Sequence, residues 1–101
     1  MTTTADAIDI VALTRALVDI DSTTGREGAA ARWLADYLRA HRWSVLEQRV
    51  DATRFNVLAT PAGDTAGAVT FSTHIDCVPP FFPSRLEGDR LYGRGACDAK
   101  G

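Results

Sequence analysis

The stretch Ala68-Val69-Thr70-Phe71-Ser72-Thr73-His74-Ile75-Asp76 opens with a short run of strand formers, Ala68 to Thr73, and closes on a His-x-Asp triplet. In extended backbone, residues two apart share a side. The imidazole of His74 and the carboxylate of Asp76 can therefore meet, while Ile75 and Cys77 face the other way. The C-terminal end of a strand in an α/β sheet is where ligand sites gather. A metal-binding histidine commonly donates its second ring N–H to a carboxylate, which fixes the tautomer and raises ligand basicity. The triplet suits that division of labour, although a structural or surface histidine is the commoner origin of so short a pattern.

Downstream the chain changes character. Between Cys77 and Arg90, Pro79, Pro80, Phe81, Phe82, Pro83 and Gly88 break any regular period, which reads as one long ordered loop. Its two phenylalanines, with Tyr92, either pin the loop to the body or line a substrate pocket. Then comes Tyr92-Gly93-Arg94-Gly95-Ala96-Cys97-Asp98-Ala99-Lys100-Gly101. A dinucleotide fingerprint would need its third glycine where Asp98 stands, and a carboxylate there would repel a pyrophosphate. A glycine-flanked bend that presents Asp98 inward is the better reading, since a carboxylate with two oxygens can bridge two cations. Arg94 and Lys100 suit either a substrate contact or support of the bend.

Upstream, Ile10, Leu13, Leu17 and Ile20, widened by Ile8, Val11 and Val18, mark one face of a helix over Asp6–Ile20. After the loop Asp21–Gly25, Thr24 with Glu27 forms a capping box that starts a second helix, reaching about His41. Its apolar stripe is Ala30, Trp33, Leu34, Tyr37 and Leu38, and His41 is a helix-end residue. Trp43–Val50 and Arg54–Thr60 are rich in strand formers, the second alternating through Phe55, Val57 and Ala59. Pro61–Gly67 is a turn-rich connector to the third run. Helix, helix, strand, strand, strand is an α/β layer arrangement, with a mixed sheet that begins in an antiparallel pair.

The remaining sequence narrows the function class. An apolar fraction of 46% with 24% charged residues is ordinary for a globular protein, and 101 residues allow one core. A net charge of −2 with interspersed signs gives no basic patch, so nucleic acid is not an expected partner. No stretch has the apolar length of a signal or membrane span, so a cytoplasmic location with no membrane partner is expected. The two cysteines, Cys77 and Cys97, are too few for a disulfide framework and should be reduced thiols.

Ser72-Thr73-His74-Ile75-Asp76-Cys77-Val78-Pro79, a phenylalanine-containing loop, and Leu91-Tyr92-Gly93-Arg94-Gly95-Ala96-Cys97-Asp98-Ala99-Lys100-Gly101, in that order, resemble the zinc-dependent exopeptidase family. That family includes acetylornithine deacetylase, succinyl-diaminopimelate desuccinylase, aminoacylase and glutamate carboxypeptidase. The resemblance covers essentially the whole chain. It implies that residues 1–101 are the N-terminal portion of a metallohydrolase catalytic domain, with the lid or dimerisation domain and the rest of the catalytic domain lying elsewhere. It implies that His74 ligates one metal ion and that Asp98 bridges two. Asp76 joins the catalytic set as the carboxylate that holds the His74 ring, and the Asp98–Ala99 peptide bond should be cis. Cys77, Cys97 and Ala99 depart from residues frequent in the family, which bears on local packing and substrate choice.

By the same resemblance, the cofactors are two divalent ions, zinc or cobalt. The reaction is hydrolysis of the amide of an N-acyl amino acid or short peptide, acetylornithine deacetylase-like, by a full-length homodimer. A dipeptidase or carboxypeptidase of the same family is the alternative. The general base and the other ligands fall outside this chain, so weak metal binding and no useful catalysis are expected from it alone. Two readings from other classes are a thiol-based module built on Cys77 or Cys97 with His74, and a non-catalytic binding domain. The first suffers from Cys77 facing away from His74 and from the lack of a Cys-x-x-Cys pair.

Overall fold

The computed structural model describes residues 7–63 and 66–101. In chain order they form α1 (Ile10–Val18), α2 (Gly28–Ala40), β1 (Ser44–Arg49), β2 (Phe55–Thr60), β3 (Arg85–Glu87) and β4 (Arg90–Tyr92). The class is α/β, two helices followed by antiparallel strand pairs.

Helix α1 begins at Ile10 because the Asp9 carboxylate accepts a bond from Ala12 N–H at 3.0 Å, satisfying one of the donors a helix start leaves free. Asp6, where the helix was expected to begin, lies outside the described residues. Only the C-terminal half of the apolar stripe is covered: Leu17 and Val18 are buried, whereas Ile10 and Val11 stay exposed. The periodicity identifies the face correctly, yet no described residue covers its first turn.

Helix α2 does not use the capping box expected of Thr24 and Glu27. Glu27 occupies the cap position without a side-chain bond to the helix, and its Oε1 instead accepts from Gly25 N–H at 2.7 Å. The Thr24 hydroxyl is drawn away by a distant partner, Asp76. At the other end the helix closes in a Schellman turn. Trp43 N–H donates to Leu38 O and Arg42 N–H to Arg39 O, with Arg42 held at φ 68° in the left-handed region that glycine usually fills.

Strands β1 and β2 pair in register Ser44↔Thr60 through Arg49↔Phe55. The alternation read from the sequence is the burial alternation seen. Val45 and Glu47 of β1 and Phe55, Val57 and Ala59 of β2 are the better covered positions, and α2 packs across both strands. Glu47 takes part as a charge because α2 supplies its partners, Arg32 bidentately at 2.7 Å and Arg39 at 2.8 Å. These bonds hold its carboxyl down at about 2. On the opposite face Leu46 and Leu58, paired across the strands, remain exposed.

Two segments differ from expectation. The loop Cys77–Arg90 contains a hairpin: β3 and β4 pair across a two-residue turn, Gly88-Asp89, with Gly88 at φ 62°. That dipeptide between strand-forming triplets is a hairpin signal in its own right. The Ala68–Thr73 run, expected as a third strand, joins no ladder among the described residues. Next to it, Cys77 forms a single parallel bridge to Thr23, which is the only parallel pairing beside the two antiparallel pairs among the described residues. The core is accordingly thin. Its buried apolar residues among those described are Leu17, Val18, Ala30, Ala31, Ala35 and Cys77, and the radius of gyration is 14.6 Å. A self-contained domain of this length would have about 13 Å.

Candidate metal and catalytic site

Two separate stretches of backbone converge on the His74 imidazole. Nδ1 lies 3.0 Å from Asp76 Oδ1 and 3.0 Å from the Asp76 main-chain carbonyl, and Nε2 lies 3.0 Å from Asp98 Oδ1. The ring is thus held by one residue and aimed at another. Hydrogen bonding to the Asp76 carbonyl is the main cause that raises the His74 pKa above its ordinary value; burial opposes it, and the Asp76 carboxylate and then the charge of Asp98 add smaller raising effects. The site is open: the side chains of His74 and Asp98 are 52% and 85% exposed.

A short loop after α1 fixes the His-x-Asp segment. Ser22 O accepts from Cys77 N–H, Thr24 N–H donates to Cys77 O, both at 3.1 Å, and the Ser22 hydroxyl donates to Ile75 O. Thr24 Oγ1 then donates to Asp76 Oδ2 at 3.3 Å. Asp76 is therefore held by Thr24 on one oxygen while it orients His74 with the other. Sequence reading missed Ser22 and Thr24. Both lie more than fifty positions before the residues they support, and Thr24 also carries a local pattern that suggests a different job.

The bend bearing Asp98 is set by glycines and by a buried lysine. Ala96 N–H bonds Gly93 O and Lys100 N–H bonds Gly95 O. Gly93, at φ 155°, packs so tightly on Val18 Cγ1 that a β-carbon would collide with it. Lys100 is buried, and its Nζ donates to Ile20 O at 2.7 Å, so it anchors the bend to α1's exit and is not presented to a substrate. Burial pushes its pKa down. Arg94 likewise supports backbone: Nε donates to Pro80 O at 2.9 Å and the guanidinium lies over the Phe82 ring at 4.9 Å. Phe82 is thereby pinned within its own loop. The Asp98–Ala99 bond is cis, as is Pro79–Pro80.

His41 ends α2 with its Nδ1 on Tyr37 O, far from this cluster's bonds. Both cysteines are free; Cys77 is buried and Cys97 exposed. The Cys77 sulfur faces the Ser22 hydroxyl at 3.8 Å. His74 and Asp98 supply one nitrogen and one oxygen donor, the ligand types that zinc accepts at about 2.0–2.2 Å. Donors sharing one such ion stand roughly 3 Å apart, so the observed 3.0 Å fits. No group of three or more potential ligands occurs among the described residues. The chain accordingly fits a partial metal site, with further ligands required from elsewhere.

Comparison with known proteins returns a consistent class. The chain is 42% identical over 100 residues to a probable carboxypeptidase of Aspergillus terreus, covering 86% of this chain and 23% of that protein. It is 38% identical over 95 residues to a peptidase M20 domain-containing protein of Schizosaccharomyces pombe, covering 91% of this chain and 24% of that one. A probable carboxypeptidase of Emericella nidulans matches at 38% over 105 residues, with 95% and 25% covered. The chain thus spans about a quarter of the length of the curated relatives it matches. No family model matches it.

Proposed function

We propose that this chain is the amino-terminal part of a metal-dependent, peptidase-type hydrolase of the M20 class, and that His74 and Asp98 are two of its metal ligands. The observation that carries the reading is the His74 ring, with Nδ1 engaged by Asp76 and Nε2 facing Asp98 at 3.0 Å. Relatives named as carboxypeptidases and as an M20 peptidase support it. Asp76 fixes the ring so that Nε2 is the nitrogen offered to a cation. Asp98, whose Oδ1 faces His74 Nε2 at 3.0 Å, would hold the cations through its carboxylate. Divalent cations held there, zinc or cobalt, would supply acidification of water from a pKa of about 15.7 toward about 7 and polarisation of the scissile carbonyl. Thr24, Ser22 and Lys100 keep the two stretches in register. The finer substrate within this proposal is an N-acyl amino acid, hydrolysed at its amide as in acetylornithine deacetylase, by a cytoplasmic homodimer.

The test is hydrolysis by the full-length, metal-loaded protein of a panel of N-acetyl amino acids and dipeptides. Activity should vanish with a chelator and return with zinc or cobalt, and should survive alkylation of both thiols. His74→Ala and Asp98→Asn should each abolish it. Activity that survives the chelator and is lost on alkylation would transfer the chemistry to Cys77 or Cys97. Cleavage of dipeptides without cleavage of acyl amino acids would retain the hydrolase and replace the finer substrate.

A further inference from the structure

Glu27 stands at the start of α2 without capping it. Its side chain is only 14% exposed, and Oε2 is buried with no hydrogen-bond partner among the described residues, 3.6 Å from Arg54 Nη1. Covering a carboxylate this far costs free energy that a loose ion pair does not return. The other oxygen supplies the reason for its presence: Oε1 accepts from Gly25 N–H at 2.7 Å. Gly25 is exposed at φ 97°, a β-carbon added to it would meet nothing within 4 Å, and it makes no other hydrogen bond among the described residues. A glycine without packing keeps its conformation only through such a bond. The Gly25 N–H and the Thr24 carbonyl share one peptide plane, so the bond to Glu27 fixes Thr24 from its C-terminal side. From the other side Thr24 N–H is held by Cys77 O. The Thr24 hydroxyl then reaches Asp76 Oδ2 at 3.3 Å, long for a hydroxyl donor, so a small turn of the Thr24 backbone would break it.

We infer that Glu27 is a positioning residue for the metal site: its Oε1 locks the Gly25 amide, Thr24 thereby keeps its hydroxyl on Asp76, and Asp76 keeps the His74 ring aimed at the cation. This rests on the reading of His74 as a metal ligand. Glu27 is itself set from behind by the turn that joins β1 to β2. Arg54 binds Asp51 there through Nε and Nη2, both at 2.7 Å, and leaves Nη1 toward Glu27. That turn lies hard against α2, since a β-carbon on Gly28 would collide with Thr53 O. The helix and the strand pair thus reach the imidazole through Arg54, Glu27, Gly25, Thr24 and Asp76 in turn. Reach, not charge, is what the Gly25 contact demands of the side chain at position 27.

Zinc affinity of the full-length protein, measured by competition with a chromophoric chelator, tests this independently of turnover. Glu27→Gln keeps an oxygen at the same reach, so affinity should stay within about twofold of the parent. Glu27→Asp keeps the charge and is a good residue for a helix start, yet it falls one methylene short of Gly25. Its affinity should drop about 3–10-fold, less than the 10–100-fold expected for a group in direct contact with a ligand histidine. In a Thr24→Val background the aspartate substitution should add less than about 1.5-fold, because the link it cuts is already open. An aspartate variant with parental affinity, a glutamine variant as weak as the aspartate one, or an undiminished loss in the Thr24→Val background would overturn the inference. His74→Ala is measured alongside. Affinity that survives His74→Ala would sink the metal-site reading and this inference with it, whereas affinity lost in His74→Ala and kept in Glu27→Asp would sink this inference alone.

Discussion

Asp76→Asn isolates the hold on the His74 ring. Nδ1 faces two oxygens at 3.0 Å, the Asp76 carboxylate and the Asp76 main-chain carbonyl, and the substitution removes the charge of the first while leaving the second. The carbonyl still accepts the Nδ1 proton, so Nε2 remains the nitrogen offered to a cation. Losing the outer carboxylate behind a histidine ligand costs about 10–100-fold in metal affinity. With the main-chain acceptor retained, the expected loss sits at the lower end, about tenfold or about 1.4 kcal/mol. The His74 pKa is raised, so its proton competes with the cation at any pH below that value. Removing the carboxylate lets the pKa fall and weakens this competition. The gap between variant and parent should therefore be widest at about pH 8, above the ordinary histidine value of about 6.5, and should narrow below it. Competition for zinc between the full-length protein and a chromophoric chelator measures both. A loss below about twofold, a loss as large as that of Asp98→Asn, or a gap that widens in acid would refute the reasoning.

Other expectations concern the scaffold. Arg42→Gly should stabilise the chain by about 1 kcal/mol in urea unfolding, because φ 68° is free of cost only to glycine. Gly93→Ala should cost about 2–5 kcal/mol, combining the unfavourable φ with collision against Val18, and Val18→Ala in the same chain should restore part of it. Strict additivity of the two would refute that contact. Glu47 has a folded pKa of about 2 against an ordinary 4.5, so its stabilising effect is complete above pH 4.5 and is lost as pH falls through about 2. Glu47→Gln should flatten the stability profile across that interval and leave its slope at neutral pH unchanged. A disulfide reagent should label exposed Cys97 promptly and buried Cys77 only as the fold opens, giving one fast thiol of two.

What the sequence made legible was whatever depends on near neighbours. The Phe55, Val57, Ala59 alternation and the pairing of β1 with β2 follow from a period of 2 that persists in the fold, whereas the buried residues of α2, Ala30, Ala31 and Ala35, share only Ala30 with the stripe read from the sequence. The His-x-Asp geometry was legible for the same reason, since residues two apart in extended chain share a side. The Gly88-Asp89 hairpin was equally local, but three prolines and two phenylalanines ahead of it drew the reading toward a plain loop. What stayed hidden depended on distant partners. Thr24 caps nothing because Asp76, 52 positions later, takes its hydroxyl. Lys100 is no ligand for a substrate because a carbonyl 80 positions earlier receives its ammonium group. Burial of the first turn of α1 could not be judged either, since an amphipathic stripe states which face seeks cover and is silent on whether cover arrives.

The loop that leaves α1 is a single hub for every stretch the site needs. Asp19 accepts from Ser84 N–H, Ile20 from Lys100, Ser22 engages Ile75 and Cys77, and Thr24 reaches Asp76, across separations of 52 to 80 positions. On the ribosome this loop emerges just after α1 and meets none of these distant partners until at least 52 further positions have followed. Closing loops of that size is slow beside the formation of α2 and its strand pair. The imidazole and its two carboxylates are therefore expected to assemble last, after the neighbouring layer has already formed.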